Sequence, residues 1–170
     1  MMEQCKEKLS IAMITGQNQL RSDGLWGSWI RQHKKTLSRV SGKRKKKYHP
    51  KDDLRILFTG FVQGKMLEEL YSNAYVYVLP SDVEGMPLSL LEAMSYGNCC
   101  LVSDIKEITE VVEDKAVIFP KGNVNLLTKK LQFLCDNKSE VAQYKAQATE
   151  FICGKYNWNS VVNETVSLYY

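Results

Sequence analysis

Between residues 75 and 119, short apolar runs alternate with stretches in which apolar residues recur every three or four positions. Residues 75–79 (YVYVL) are β-branched and aromatic, and they predict a buried strand that ends at Pro80. Across residues 88–94, leucine and methionine recur at helical spacing, and Gly97 supplies a C-terminal stop. The pattern therefore predicts a strand, a polar loop and a helix in succession.

The same alternation continues toward the end of the chain. It predicts further strands over residues 99–103 and 116–119, and helices over residues 105–112, 123–136, 140–152 and 160–168. Strands that alternate with helices are typical of a parallel sheet covered on both faces, so we predict an α/β fold. Phe133 lies beside the apolar stripe of the 123–136 helix, and we expect its ring in the core.

The loop between the first strand and helix carries the candidate chemistry. Gly85 is a turn former, and Pro87 suits the first position of a helix because no backbone donor is needed there. In an open parallel sheet this loop lies at the carboxyl ends of the strands, where the free N–H groups of residues 85–88 would face an anion. Glu92 lies about 7–8 Å further along the helix than Pro87, roughly the reach of a ligand built on a diphosphate.

Two glutamates, Glu84 and Glu92, flank this helix start. A carboxylate repels a phosphate but accepts hydrogen bonds from sugar hydroxyls, so the pair predicts contacts to the sugar parts of a ligand. Taken singly, each has a simpler explanation: Glu84 is favoured near a helix start by the helix dipole, and Glu92 is a solvated helix residue.

Residues 80–97 (PSDVEGMPLSLLEAMSYG) resemble the donor-binding motif of glycosyltransferase family 4, whose members have the GT-B fold. The matching residues are Pro80, Ser81, Glu84, Gly85, Pro87, Leu91, Glu92, Ala93 and Gly97. The resemblance extends over residues 52–170, with a strand at residues 56–60 and a helix at residues 67–74. It implies a Rossmann-like parallel sheet flanked by helices, which forms one half of a GT-B fold.

The resemblance also implies a function and a set of site residues. The implied donor-binding residues are Gly60, Phe61, Val62, Glu84, Gly85, Met86, Pro87, Leu88 and Glu92. Glu84 would contact the transferred sugar as the catalytic residue, Glu92 would bind the ribose hydroxyls, and the amides of residues 85–88 would hold the diphosphate. The implied reaction moves a hexosyl group from a nucleotide sugar, a UDP-sugar at the level of the family, to an acceptor hydroxyl with retention, and it needs no metal and no cofactor.

Several family features are missing from the sequence. No glycine-rich turn with a basic pair precedes Leu9, and the acceptor-binding domain has no counterpart. By the resemblance, the chain is the donor-binding part of a larger enzyme of polysaccharide biosynthesis. Its acceptor would be a glycan or a lipid-linked glycan held through a missing N-terminal domain, and the last helix would cross back to that domain. Peripheral contact with a membrane stays open.

Charge divides the chain into two unlike parts. Residues 1–50 carry 12 Lys and Arg but 3 Asp and Glu, whereas residues 51–170 carry 11 and 16. We therefore expect a basic N-terminal segment at residues 1–50, with one strand at residues 9–15, followed by the donor-binding domain at residues 51–170. The basic run from Lys43 to Lys47 has no interleaved aromatic residue, which favours a solvated linker over a specific nucleic-acid site.

Composition narrows the remaining classes. No run approaches the ~18 apolar residues of a membrane span, so we expect a cytoplasmic protein. The five cysteines form no C-x-x-C pair, and Cys99 and Cys100 lie in an apolar strand, so core thiols are expected. With His33 and His49 as the two histidines, neither a zinc site nor a histidine-based catalytic pair is expected.

Two other classes of function stay open. In the first, the chain is a non-catalytic nucleotide-binding or scaffold module that docks a partner through its last helix and residues 169–170. In the second, the run from Lys43 to Lys47 binds nucleic acid, which would make binding strongly dependent on salt.

Overall fold

The computed structural model of the chain describes residues 11–12, 59 and 61–169. Four parallel strands lie side by side within these residues in the order β1-β2-β3-β4. Their bounds are Ile11–Ala12 for β1, Val76–Leu79 for β2, Cys100–Ser103 for β3 and Val117–Phe119 for β4. In register, Tyr77 lies opposite Cys100, and Val102 lies opposite Ile118. The predicted parallel sheet is confirmed.

Six helices connect or flank the strands in the described part of the chain. Their bounds are Lys65–Ser72 for α1, Leu88–Ser95 for α2, Lys106–Val112 for α3, Val124–Asp136 for α4, Lys138–Lys155 for α5 and Trp158–Ser167 for α6. Each predicted helix in this region is present, with ends that differ from the prediction by at most three residues. Together they confirm the Rossmann-like α/β fold.

Side chains that alternate along β2 and β3 enter two different cores. On one face of the sheet, Tyr77 and Val102 pack with residues of α1, α2, α3 and the second half of α5. On the other face, Val78 and Leu101 pack with the leucines of α4 and with Val141 of α5. Both faces of the strands are therefore buried, which explains their continuously apolar sequences.

Phe133 corrects one prediction. The stripe that faces the sheet from α4 consists of Leu127, Leu131 and Leu134, all of which are buried. Phe133 is 46% exposed instead of lying in the core. At about 100° of rotation per residue, it points well away from Leu131 and cannot share the stripe.

Gly97 ends α2 as predicted. Its φ is +72°, in the left-handed region that favours glycine, and its amide donates to the Met94 carbonyl at 2.9 Å. The next residue, Asn98, is buried and donates to the carbonyl oxygens of Tyr71 and Ala93. These bonds turn the chain sharply from α2 into β3 and tie both to the end of α1.

Some predictions fall outside the described residues. These are most of the 9–15 strand, the 56–60 strand except Thr59, the boundary near residue 50, and the run from Lys43 to Lys47.

Candidate functional site

The candidate site lies where the loop at residues 80–87 leaves β2 and enters α2, at the carboxyl ends of the parallel strands. Ser103, the last residue of β3, is fully buried and donates its hydroxyl to the Ser81 carbonyl at 2.6 Å. The Ser81 hydroxyl in turn donates to Oε1 of Glu84. Lys121, just beyond β4, donates its ammonium to the Asp82 carbonyl at 2.9 Å. The loop is thereby attached to the ends of two neighbouring strands.

At the start of α2, some backbone amides have no acceptor among the described residues. No side chain caps the helix at Pro87, and its first turn contains no acidic residue. The Leu88 amide donates to the Met86 carbonyl at 2.8 Å, and Pro87 has no amide hydrogen. The amides of Gly85 and Met86 have no acceptor among the described residues. A Cβ at Gly85 would meet no atom within 4 Å, so a ligand can approach its backbone there.

Glu92 lies on the exposed surface of α2, and its carboxylate accepts a hydrogen bond from the hydroxyl of the buried Tyr71. The Tyr71 hydroxyl is 3.0 Å from Oε2 of Glu92 and 3.2 Å from the Ser89 carbonyl oxygen. Burial raises the pKa of Tyr71, and the nearby Tyr77 and Glu92 raise it further. Tyr71 therefore stays neutral at ordinary pH and donates a hydrogen bond to the Glu92 carboxylate.

A second buried tyrosine supports the same helix turn. Tyr77 donates its hydroxyl to Ser89 Oγ at 2.9 Å, and burial raises the pKa of this phenol as well. The Tyr71 ring lies against the ring of Tyr96 with centroids 5.5 Å apart. These contacts fix the face of α2 from which Glu92 projects.

The predicted site residues occupy distinct environments. Glu84 and Val62 are half-buried, and Pro87 is buried. The exposed members are Phe61, Gly85, Met86, Leu88 and Glu92. Gly60 lies outside the described residues. The prediction assigned the amides of residues 85–88 to the diphosphate, but Pro87 has no amide hydrogen and the Leu88 amide donates to the Met86 carbonyl. Among these four residues, the amides of Gly85 and Met86 are therefore the ones that have no acceptor in the described part of the chain.

Sequence reasoning missed Tyr71, Ser103 and Lys121. Each belongs to a different element from the motif, and no local spacing links them to Glu84 or Glu92. One signal was present: Ser103 and Lys121 follow apolar strand residues, at the edge of a parallel sheet where ligand sites form.

The described cysteines include two core thiols. Cys99 and Cys100 are buried, as predicted, and burial raises the pKa of Cys99 to about 12 and that of Cys100 well above its usual value. Cys135 is half-buried and Cys153 exposed. Throughout the described ranges, no group of three or more His, Cys, Asp or Glu side chains could hold a metal ion. No helix there is long and apolar enough to cross a bilayer.

Similarity of structure defines the class of this fold. A solved structure of TarM matches 95% of the chain with a TM-score of 0.74 at 22% identity, and the match covers 35% of TarM. Sucrose-phosphate synthase from Thermosynechococcus elongatus matches 94% of the chain with a TM-score of 0.63 at 23% identity, over 37% of that enzyme. These likenesses show the fold of the chain, which is Rossmann-like α/β and corresponds to one half of a GT-B fold.

The family follows from sequence. Residues 31–151 match the sequence model of the glycosyl transferases group 1, and the chain belongs to this family. An uncharacterised glycosyltransferase of Methanocaldococcus jannaschii is 30% identical over 121 residues, which are 68% of the chain and 30% of that protein. The O-antigen chain mannosyltransferase B of Escherichia coli is 32% identical over 118 residues, 67% of the chain and 30% of the enzyme. The chain thus spans about 30% of the length of these relatives.

Proposed function

We propose that this chain provides the donor-binding half of a cytoplasmic glycosyltransferase that acts in polysaccharide biosynthesis. The enzyme transfers a hexosyl group from a nucleotide sugar, with UDP as the expected nucleotide, to an acceptor hydroxyl with retention of configuration. One observation carries the proposal. Glu84 and Glu92 flank a helix start at which the amides of Gly85 and Met86 have no acceptor among the described residues, and each carboxylate accepts a hydrogen bond from a hydroxyl group of the same fold.

Glu92 is suited to bind the ribose. Its Oε2 accepts from Tyr71, and its Oε1 accepts no hydrogen bond from any residue that the structure describes. A carboxylate oxygen has lone pairs for more than one donor, so Glu92 can accept from ribose hydroxyls while Tyr71 fixes its orientation. Phe61 and Val62, which the resemblance places near the base, come at the start of the described chain that leads into α1.

The start of α2 is suited to the diphosphate. As the bond to the sugar breaks, negative charge develops on the leaving diphosphate. The amides of Gly85 and Met86 can donate to that charge, and the positive end of the helix dipole stabilises it without reorganisation of solvent. In this mechanism the charge is balanced by backbone groups, and the reaction needs neither a metal nor a cofactor.

Glu84 is assigned to the transferred sugar. It is half-buried and already accepts from Ser81, so its carboxylate has a defined position. It would accept hydrogen bonds from hydroxyls of the sugar and hold the anomeric carbon toward the acceptor. Such positioning contributes several kcal/mol to the lowering of a barrier.

The acceptor is assigned to another part of the enzyme. The relatives are about three times as long as the region they share with this chain. We propose that a further domain binds a glycan or lipid-linked acceptor and that the last helix contacts that domain. One of the relatives is named as a mannosyltransferase and the other has no named sugar, so the donor sugar has to be determined by testing a panel.

A titration tests the donor half-site directly. The purified chain is titrated by calorimetry with UDP, several UDP-sugars and GDP-mannose, beside Glu92→Gln and a control, Glu150→Gln, which changes an exposed glutamate of α5. Loss of the carboxylate charge at position 92 should weaken binding about tenfold or more, since hydrogen bonds to charged groups contribute ~1.5–3 kcal/mol. The control should bind as the native chain does.

The opposite result would favour a different class of protein. If no nucleotide or nucleotide sugar binds saturably up to millimolar concentration, the chain has kept the fold without the site. The non-catalytic scaffold would then be the better proposal. One structural observation favours the scaffold: α6 buries none of its residues and exposes Trp158 and Val162, which leaves an apolar surface for a partner.

A further inference from the structure

The loop that carries Glu84 is attached to the sheet through two consecutive carbonyl groups. The Ser103 hydroxyl at the end of β3 donates to the Ser81 carbonyl at 2.6 Å, and the Lys121 ammonium beyond β4 donates to the Asp82 carbonyl at 2.9 Å. Both donors come from elements distant in sequence from the loop. The loop therefore takes its position from β3 and β4, and not only from the strand that it follows.

Lys121 is itself fixed at its main chain. Its amide donates to Oδ1 of Asp104 at 2.7 Å, and the Asp104 amide donates to the Phe119 carbonyl at 3.0 Å. The side chain of Lys121 thus starts from a defined point between the ends of β3 and β4. Although the residue is exposed, its ammonium reaches across to a specific carbonyl on a separate loop.

The two attachments converge on Glu84. Ser81, whose carbonyl accepts from Ser103, uses its hydroxyl to donate to Oε1 of Glu84. A shift of Ser81 or Asp82 would move this hydroxyl and the carboxylate with it. A binding group that is held in place before the ligand arrives loses less conformational entropy on binding.

We propose that Lys121 and Ser103 are positioning residues of the donor site. They hold residues 81–84 so that the Glu84 carboxylate is ordered for the sugar of the donor, and they act through the loop without touching the ligand. This inference rests on the proposed function for its effect on ligand binding. Its effect on the loop itself can be measured in the absence of any ligand.

The test compares three exposed-lysine variants. Lys121→Met removes the ammonium and keeps the aliphatic stem, Lys121→Arg keeps a cationic donor, and Lys130→Met makes the same change at an exposed position of α4. Backbone ¹⁵N relaxation reports the order of residues 81–84 without ligand. We expect Lys121→Met to lower that order while β2 and β3 stay unchanged, Lys121→Arg to recover most of it, and Lys130→Met to have no effect.

Calorimetry with UDP and with the UDP-sugar that binds most tightly then distinguishes an effect on binding of the sugar from an effect on binding of the nucleotide. Because Glu84 is assigned to the sugar, Lys121→Met should weaken UDP-sugar binding about three- to tenfold, the scale of one hydrogen bond, and leave UDP binding unchanged. Ser103→Ala removes only a buried hydroxyl. Like Lys121→Met, it should lower both the order of the loop and the affinity for the UDP-sugar.

The outcomes distinguish the two proposals. If the native chain binds no nucleotide sugar, the proposed function fails, and the relaxation data alone decide whether Lys121 orders the loop. Unchanged order of residues 81–84 in Lys121→Met overturns the inference. So does an equal loss of affinity for UDP and UDP-sugar, which would mean that Lys121 acts on the diphosphate or on the fold as a whole.

Discussion

At the scale of single residues, the buried Tyr71 hydroxyl links the core of the sheet to an exposed carboxylate. Its ring is 2% exposed and lies near Tyr77, while its hydroxyl reaches the surface of α2 at Glu92. Burial raises the pKa of this phenol, so it remains protonated and donates to the Glu92 side chain at neutral pH. The packing of the core thus determines where a surface carboxylate points.

Replacing Tyr71 by phenylalanine tests this link. Tyr71→Phe removes the donor to Glu92 and leaves the ring, so we expect unfolding to be easier by about 1 kcal/mol and nucleotide affinity to fall about three- to tenfold. Denaturant unfolding and calorimetry measure the two effects.

Tyr75→Phe is the matched control for that variant. The Tyr75 hydroxyl donates to the Leu134 carbonyl at 3.1 Å, among the residues packed on the other face of the sheet. This control should lose comparable stability and keep its affinity for nucleotide. Equal affinities in the two variants would show that Tyr71 has a purely structural role.

At the scale of elements, the turn from α2 into β3 depends on Gly97. A Cβ at this position would lie 3.4 Å from Thr149 Oγ1 of α5, and φ is +72°, where side chains are strained. We expect Gly97→Ala to destabilise the protein by about 1–2 kcal/mol, measured by denaturant unfolding.

A second glycine provides the control for this prediction. Gly154 lies in the exposed last turn of α5, where an added Cβ would meet nothing within 4 Å. Gly154→Ala should stabilise the protein by about 0.5–1 kcal/mol, because alanine favours a helix. A loss of stability at Gly154 equal to that at Gly97 would argue against the conformational explanation.

Local periodicity was sufficient to predict the elements, and it was insufficient to predict the contacts between them. The strands and helices follow from apolar spacing, and Gly97 and Pro87 mark the boundaries of α2 in the sequence itself. Phe133 was misplaced because an aromatic residue next to a stripe was assumed to join it. The support of Glu84 by Ser81 was within reach of local reasoning, whereas Lys121 meets Asp82 only through the order of strands in the sheet.

At the scale of the whole molecule, α6 is the helix that the rest of the described fold covers least. It buries none of its residues, and the exposed large hydrophobic side chains along and after it are Trp158, Val161, Val162, Val166, Leu168 and Tyr169. Apolar surface of this kind promotes association.

A charge on α6 should therefore affect association more than stability. Val162 is 51% exposed, so Val162→Lys should change the free energy of unfolding by no more than about 0.5 kcal/mol while it reduces concentration-dependent association in sedimentation experiments. Asn163→Lys adds the same charge to the same helix without removing apolar surface, and it should reduce association less. The opposite outcome would be a loss of about 2–5 kcal/mol in the free energy of unfolding for Val162→Lys, which is typical of a truncated core leucine. In that case α6 would have to be packed against protein in solution. Its apolar face could then not serve as the contact to a further domain.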